Sequence, residues 1–259
     1  KKEEALVKHI LDDNRFRYHF QPIVSAKNGE IYAYEALMRT DVQPSVSPLT
    51  VLKYAESMDR LYDVEKATFF NVLQYVKTNW ALFDKRKVFV NSIPGKQLVG
   101  ADKETLREKM QSAADVFVVE LTEQTELPDE QLTKMKDDYC RMGIETAVDD
   151  YGTGYSNITN LLRYMPNYVK IDRMLLTDIQ DSPQKQHFVS EIVTFAHDND
   201  IMALAEGVET TEELEAVIEL GVDLIQGYYT AKPAAEPIAS IPAEIKSEII
   251  RYQHIRMKK

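Results

Sequence analysis

Five carboxylates in this sequence stand in, or at the end of, short apolar runs: Glu35, Glu120, Asp149, Asp150 and Glu206. With them come Asn91, Lys170 and Gln226, each in or just after a run of its own. Unpaired, that much negative charge in one place repels itself and pushes carboxyl pKa values up. Hard divalent cations relieve the repulsion, and carboxylate plus amide oxygen is the donor set that Mg²⁺ or Mn²⁺ prefers. Two such ions about 3.5–4 Å apart can clamp a phosphodiester and generate hydroxide between them. Lys170 adds a donor able to orient that water or to balance developing charge.

The elements that must position these groups are strands. Short apolar runs at 16–24, 31–38, 87–91, 116–121, 144–148, 168–171, 201–205 and 223–225 read as strands. Helical patterns lie between them at 49–59, 62–80, 101–112, 129–142, 154–164, 184–199 and 211–219. In the last, Leu214, Val217 and Ile218 recur at helical spacing among Glu212, Glu213, Glu215 and Glu219. Strands alternating with helices imply right-handed crossovers and a mainly parallel sheet. Eight strands in a chain of this length fit an α/β fold of the (β/α)8, TIM-like barrel type. Only 25–30, with Asn28-Gly29, separates the first two runs, which reads as a hairpin with the first strand antiparallel. An open doubly wound sheet is the alternative. Further amphipathic helices are expected at the two ends, around Ile10 and Leu11 and around Ile245 and Ile249.

Barrel active sites form at the C-terminal ends of the strands, where different strands converge on one mouth. One acid at a strand end carries little weight, but the whole set at successive ends points to a site. Asp149 and Asp150 pose a problem, because neighbours on a regular strand face opposite ways. Both point inward only if the strand ends there, in a turn that Gly152 and Gly154 allow.

The 259 residues, 44% hydrophobic, suffice for one domain over 1–259. A net charge of −11 argues against generic nucleic-acid binding through a basic surface. An acidic protein acting on a phosphodiester needs local positive charge, which divalent metal supplies. No apolar run reaches membrane-spanning length, and Lys1-Lys2-Glu3-Glu4 is no signal peptide. Without an initiator Met, the chain is compatible with an excised piece of a longer protein, which leaves room for a membrane or sensor segment upstream. Cys140 is the lone cysteine, which fits a reducing, cytoplasmic compartment and is expected to be a buried structural thiol.

At these residues the sequence resembles the EAL phosphodiesterase family, named for the tripeptide that stands here as Glu35-Ala36-Leu37. The resemblance runs through QPIV at 21–24, EALMR at 35–39, Asn91-Ser92, ELTE at 120–123, DDYGTGYSN at 149–157, VKIDR at 169–173, AEGVET at 205–210 and QGYYTAKP at 226–233. It implies hydrolysis of cyclic di-GMP to linear pGpG with two Mg²⁺ or Mn²⁺ ions. Glu35, Asn91, Glu120 and Asp149 match the ligands of one ion, and Asp149, Asp150 and Glu206 those of the other. Glu35, Lys170 and Glu206 take catalytic places, Lys170 holding the attacking water. Gln21, Leu37, Arg39, Asp150 and Gln226 fall on the substrate side, with Arg39 on a phosphate. Glu123 matches the glutamate that steadies the loop of Gly152, Thr153 and Gly154. The resemblance further implies a homodimer paired near the 149–156 loop, an upstream sensor or GGDEF domain, and a cytoplasmic location, alone or as part of a membrane-anchored protein. Thr40, Tyr151 and Asn157 depart from the family's usual residues. Thr40 is expected to weaken nucleotide packing and Tyr151 to alter loop coupling; no metal ligand is lost.

Other chemistries fit less well. A receptor that binds the same dinucleotide without turnover shares every one of these residues. A Schiff-base lyase would need Lys170 neutral, which surrounding carboxylates oppose. A two-carboxylate glycosidase needs neither Asn91 nor the Asp pair. No G-x-S-x-G elbow is present, and Asn157 stands where a dinucleotide fingerprint would place its third glycine. The histidines lack metal-ligand spacing; His19 is expected in the core or behind the site, and Tyr228-Tyr229 in packing.

Overall fold

The strand runs close on one another. The computed structural model describes residues 2–113, 115–122, 127–152 and 158–258. Its strands are β1 (Phe16–Ser25), β2 (Ile31–Thr40), β3 (Lys87–Asn91), β4 (Phe117–Thr122), β5 (Glu145–Tyr151), β6 (Tyr168–Ile171), β7 (Met202–Glu206) and β8 (Leu224–Gln226). They form one closed barrel in chain order, which replaces the open-sheet alternative. β1 runs antiparallel to both β2 and β8, and the other neighbours are parallel. The hairpin is the reason: a parallel pair needs a long crossover, and this link is too short for one. Gly29, at φ +70, takes the left-handed conformation that the turn requires.

The helices are α1 (Lys2–Asp12), α2 (Pro48–Ser57), α3 (Leu61–Thr78), α4 (Trp80–Phe83), α5 (Gly100–Met110), α6 (Asp129–Arg141), α7 (Ile158–Tyr164), α8 (Arg173–Leu176), α9 (Pro183–Asp198), α10 (Thr211–Glu219) and α11 (Ala243–Arg256). Several starts are set by capping side chains. Ser47 accepts from Thr50 N before Pro48, and Ser182 from Lys185 N before Pro183. Thr210 accepts from Glu213 N, while Glu213 Oε2 accepts from Glu209 N. The expected helix 154–164 is described from Ile158 onward; 154–157 lie outside the described residues. α4, α8 and a 3-10 turn at Ile179–Asp181 escape sequence periodicity because none completes two turns.

Two apolar layers flank the strands. The outer one packs strand faces against helices, with Phe69, Val72, Phe117, Leu132, Ile192, Leu214 and Ile249 in its core. The inner one is a plug of one residue from each strand: Ile23, Ala33, Phe89, Val118, Ala147, Tyr168, Leu204 and Leu224. From the plug, the Tyr168 hydroxyl hydrogen-bonds Tyr32 and Glu145, at 2.8 Å each. Among the described residues, no helix is long and apolar enough to cross a membrane.

Cys140 is exposed, contrary to the buried thiol expected. Leu132, Met135 and Tyr139 take the buried face of α6, and the residue after Tyr139 is rotated about 100° away from it. Tyr228 is likewise exposed, with the Lys232 ammonium 5.5 Å from its ring centre, whereas Tyr229 hydrogen-bonds Glu248.

Candidate metal centre and active site

The site is the next layer above the plug. Side chains alternate along a strand, so two residues beyond each plug position the chain faces the barrel axis again. On β2 to β8 those residues are Glu35, Asn91, Glu120, Asp149, Lys170, Glu206 and Gln226. On antiparallel β1 the count runs backward, from Ile23 to Gln21. Eight sequence-expected residues therefore converge in one polar ring on an apolar floor.

Lys170 sits at its centre with no exposed surface. Its Nζ lies 2.8 Å from Glu120 Oε1, 3.1 Å from Asp149 Oδ1, 3.3 Å from Glu206 Oε1 and 3.5 Å from Glu35 Oε2. Burial opposes its charge, but Asp149, Glu120, Glu206 and Glu35 together outweigh that and hold its pKa well above the ordinary lysine value. An amine kept charged is no nucleophile, which removes the Schiff-base reading.

One ammonium does not neutralise the ring. Burial, then the Glu35 charge, pushes the Glu120 carboxyl well up. Burial, with Asp149 and Glu35 beside it, pushes Glu206 up to about 8 against the pull of Lys170. Glu120 Oε2, Glu206 Oε2 and Gln226 Oε1 are buried acceptors without a hydrogen-bond partner. Such oxygens are costly unless a cation or donor meets them. Carboxylate and carboxamide oxygens with unused lone pairs are the donor set of a hard divalent ion, so the residues fit one.

Hydrogen bonds orient the ring side chains. Gln226 Nε2 donates to Glu35 Oε2 at 2.6 Å and to Gln21 Oε1 at 3.2 Å, and Gln21 Nε2 donates to Ala231 O at 3.1 Å. Asn91 Nδ2 donates to Glu35 Oε1 at 3.0 Å, which leaves the carboxamide oxygen of Asn91 as the atom that could meet a cation.

The adjacent Asp pair is arranged differently from the strand end expected. β5 continues to Tyr151, but Val148 pairs Val169 and Tyr151 pairs Ile171, so β5 carries one extra residue. This β-bulge, with Asp150 itself at φ +55, turns both aspartates toward the mouth. Carboxylate oxygens of Asp149, Asp150 and Glu206 all lie within 4.8 Å of one another. Gly152 follows at φ +110, and Gly154 lies outside the described residues.

Leu37 and Arg39 continue outward along β2 from Glu35. With Asn91 and Thr122 they line a cleft of about 450 Å³ beside the ring. Half-buried His19 pairs across the strands with Leu37, and burial, with Arg39 and Arg17 nearby, lowers its pKa. Thr40 has the opposite orientation from Leu37 and Arg39. It is buried, accepting from Val46 N at 2.9 Å and donating to Val46 O at 3.1 Å, so it fastens the 41–48 loop instead of facing the cleft. Glu123 and Thr153 lie outside the described residues.

Sequence reasoning missed Glu65 and the Arg173–Glu209 ion pair. Glu65 lies buried on α3 behind Asn91, and the ion pair joins the segments after Lys170 and Glu206. A carboxylate set among Val64, Thr68, Phe69 and Val72 was the available signal for Glu65. Nothing local marks the ion pair.

A closed (β/α)8 barrel with an acidic ring suited to a hard cation at its C-terminal mouth defines the class of protein. Within it, the family model described as EAL domain matches residues 3–233, and the chain belongs to that family. It is 29% identical over 238 residues to the cyclic di-GMP phosphodiesterase PdeR of Escherichia coli, covering 88% of this chain and 35% of PdeR. Similarity to Signaling protein YkoW of Bacillus subtilis is 26% over 239 residues, 89% of this chain and 30% of YkoW. The chain thus spans about a third of the length of the curated relatives it matches. Among solved structures, the Klebsiella pneumoniae BlrP1 manganese/cyclic di-GMP complex at pH 9.0 superimposes with a TM-score of 0.75 at 26% identity. That match covers 85% of this chain and 56% of BlrP1.

Proposed function

We propose that this chain hydrolyses cyclic di-GMP to linear pGpG by in-line attack of water on one phosphodiester, with two Mg²⁺ or Mn²⁺ ions. The single observation that carries the reading is the ring itself, with buried acceptor oxygens on Glu120, Glu206 and Gln226 that no donor meets. Family membership, the activity for which PdeR is named and the cyclic di-GMP in the BlrP1 complex support the choice of substrate.

Glu35, Asn91, Glu120 and Asp149 would hold one ion, and Asp149, Asp150 and Glu206 the other. Bound there, the ions supply Lewis-acid stabilisation of the phosphoryl oxygens and lower the pKa of water. Lys170, within 3.5 Å of Glu35, Glu120, Asp149 and Glu206, would donate to the attacking oxygen and offset negative charge as it develops. Gln226 and Gln21 keep Glu35 in its orientation. Leu37 and Arg39 take the substrate in the cleft, Arg39 on a phosphate, with Asp150, Gln21 and Gln226 on the substrate side. Glu123 steadies the loop that follows β5.

We extend the reading to a homodimer through the face near α7, where Leu162, Met165 and Phe188 are exposed apolar residues. A single domain over 1–259, an upstream sensor or GGDEF domain, and a cytoplasmic setting, membrane-anchored or not, complete it.

The test is chromatographic separation of linear product from cyclic di-GMP with Mn²⁺, with Mg²⁺ and with chelator. Metal-dependent product that Glu35→Ala abolishes is expected. Tight binding of the dinucleotide with no metal-dependent turnover would overturn hydrolysis in favour of a receptor.

A further inference from the structure

Glu65 is a carboxylate without contact to solvent, on the apolar face of α3. Its Oε1 accepts from Ser92 Oγ at 2.6 Å and its Oε2 from Ile93 N at 2.8 Å. Both donors directly follow Asn91. Tyr139 of α6, also buried, faces Ser92 and Glu65 from the other side.

The place of this contact matters because Asn91 is the last residue of β3. Pairing with β2 ends at Val90, opposite Ala36, so no strand neighbour steadies Asn91 on the side where Glu35 stands. On the other side the ladder runs one step further, with Asn91 opposite Glu120 and Ser92 N donating to Glu120 O at 3.1 Å. Past that point the chain leaves the sheet, and the Glu65 carboxylate grips it by one side-chain and one backbone donor. A buried carboxylate is an expensive way to satisfy one backbone N–H, since an apolar side chain there would avoid its desolvation. The two bonds do more than that: they fix the segment that aims the Asn91 carboxamide.

We propose that Glu65 is a positioning residue of the metal centre, which holds Ser92 and Ile93 so that Asn91 stays set against Glu35 with its carboxamide oxygen toward the cation. The proposal rests on the divalent-cation reading of the ring.

Mn²⁺ binding, followed by the electron paramagnetic resonance signal of free Mn²⁺, tests it in the intact chain, with turnover measured separately. Glu65→Ala should weaken Mn²⁺ binding by about tenfold, in the range typical for groups that orient metal ligands. It should lower kcat more than it raises KM. Glu65→Gln, which can still accept from Ile93 N, should recover most of the affinity. In an Asn91→Ala background, Glu65→Ala should change Mn²⁺ affinity by less than about twofold, because the residue it positions is gone. A purely structural glutamate would give the opposite: a lower melting temperature with Mn²⁺ affinity unchanged, or losses that multiply with those of Asn91→Ala. Either result overturns the proposal. Should Glu65→Ala not fold, Ser92→Ala removes one bond only; weakened Mn²⁺ binding supports the role and unchanged binding overturns it. Mn²⁺ binding that depends on Glu65 in a chain that cleaves nothing would refute the hydrolase while upholding this inference.

Discussion

Lys170 Nζ lies 2.8 Å from Glu120 Oε1, and neither side chain reaches solvent. The pair is the buried centre of a ring in which carboxylates outnumber the cation. It makes the lysine an internal counter-ion as well as a donor to the reacting oxygen.

Replacing that counter-ion should therefore affect stability and metal response together. Lys170→Met leaves Glu35, Glu120, Asp149 and Glu206 facing one another. In chelator it should lose about 3–5 kcal/mol, as when one partner of a buried ion pair is removed. Mn²⁺ should raise its melting temperature by more than it raises that of the wild type, while turnover stays lost. Differential scanning calorimetry with and without Mn²⁺ checks both; equal metal shifts in the two proteins would contradict the counter-ion role.

Protonation of the ring sets a pH dependence. Burial raises the Glu206 carboxyl from 4.5 to about 8. A carboxyl raised on folding contributes stability that is complete below its unfolded value and is lost as pH climbs through its folded one. The chelated protein should become less stable as pH rises from 4.5 to about 8. Mn²⁺ competes with the same protons, so its affinity should climb through that window and level off above it. Calorimetric titration at several pH values reads the slope, and a flat affinity would count against Glu206 as a ligand.

Glu65 makes a separable contribution. Burial raises it from 4.5 to about 7, against its bonds from Ser92 and Ile93. The sign is the same as for Glu206, with the loss confined to the span between 4.5 and about 7. Glu65→Gln has no proton to lose there. The stability gap between variant and wild type should shift in favour of the variant by on the order of 3 kcal/mol as pH rises through that span. Denaturant melts at fixed salt give the gap at each pH; parallel curves for the two proteins would dismiss the titration.

Gly227 separates Gln226 from Tyr228, where the backbone of Val208 presses close. A Cβ there would stand 2.0 Å from Val208 O and 2.4 Å from Val208 N. Backbone cannot step aside as a side-chain tip can, so Gly227→Ala should cost at least about 1–3 kcal/mol. It should also remove most activity, by shifting the strand ends that carry Gln226 and Glu206. Gly95→Ala is the control: its φ of +73 strains an alanine, but nothing lies within 4 Å, so it should cost about 1 kcal/mol and spare turnover. Equal effects from the two substitutions, in melts and assays, would remove the close approach as the cause.

The sequence by itself determined the strands, the antiparallel start and which polar residues the strands carry, while strand order and closure came from the structure. Period-two alternation marks which residues of a strand share a face, and the hairpin link at Asn28-Gly29 is too short for a parallel return. Both signals are local, so they survive in one dimension. The motifs around Glu35, Asp149 and Glu206 supplied the family resemblance on which the proposed role of the ring rests. Tertiary structure alone decided the rest. Barrel closure brings Lys170 to Glu35 across a sequence separation of 135 residues and sets which carboxylate oxygens stay without a donor. An extra residue in β5, visible only against the pairing of β6, turns Asp149 and Asp150 the same way. Glu65 reaches Ser92 because α3 packs over the end of β3, and Cys140 meets solvent because Tyr139 occupies the buried face of α6. Such contacts depend on the relative placement of whole elements, which no window of neighbouring residues contains.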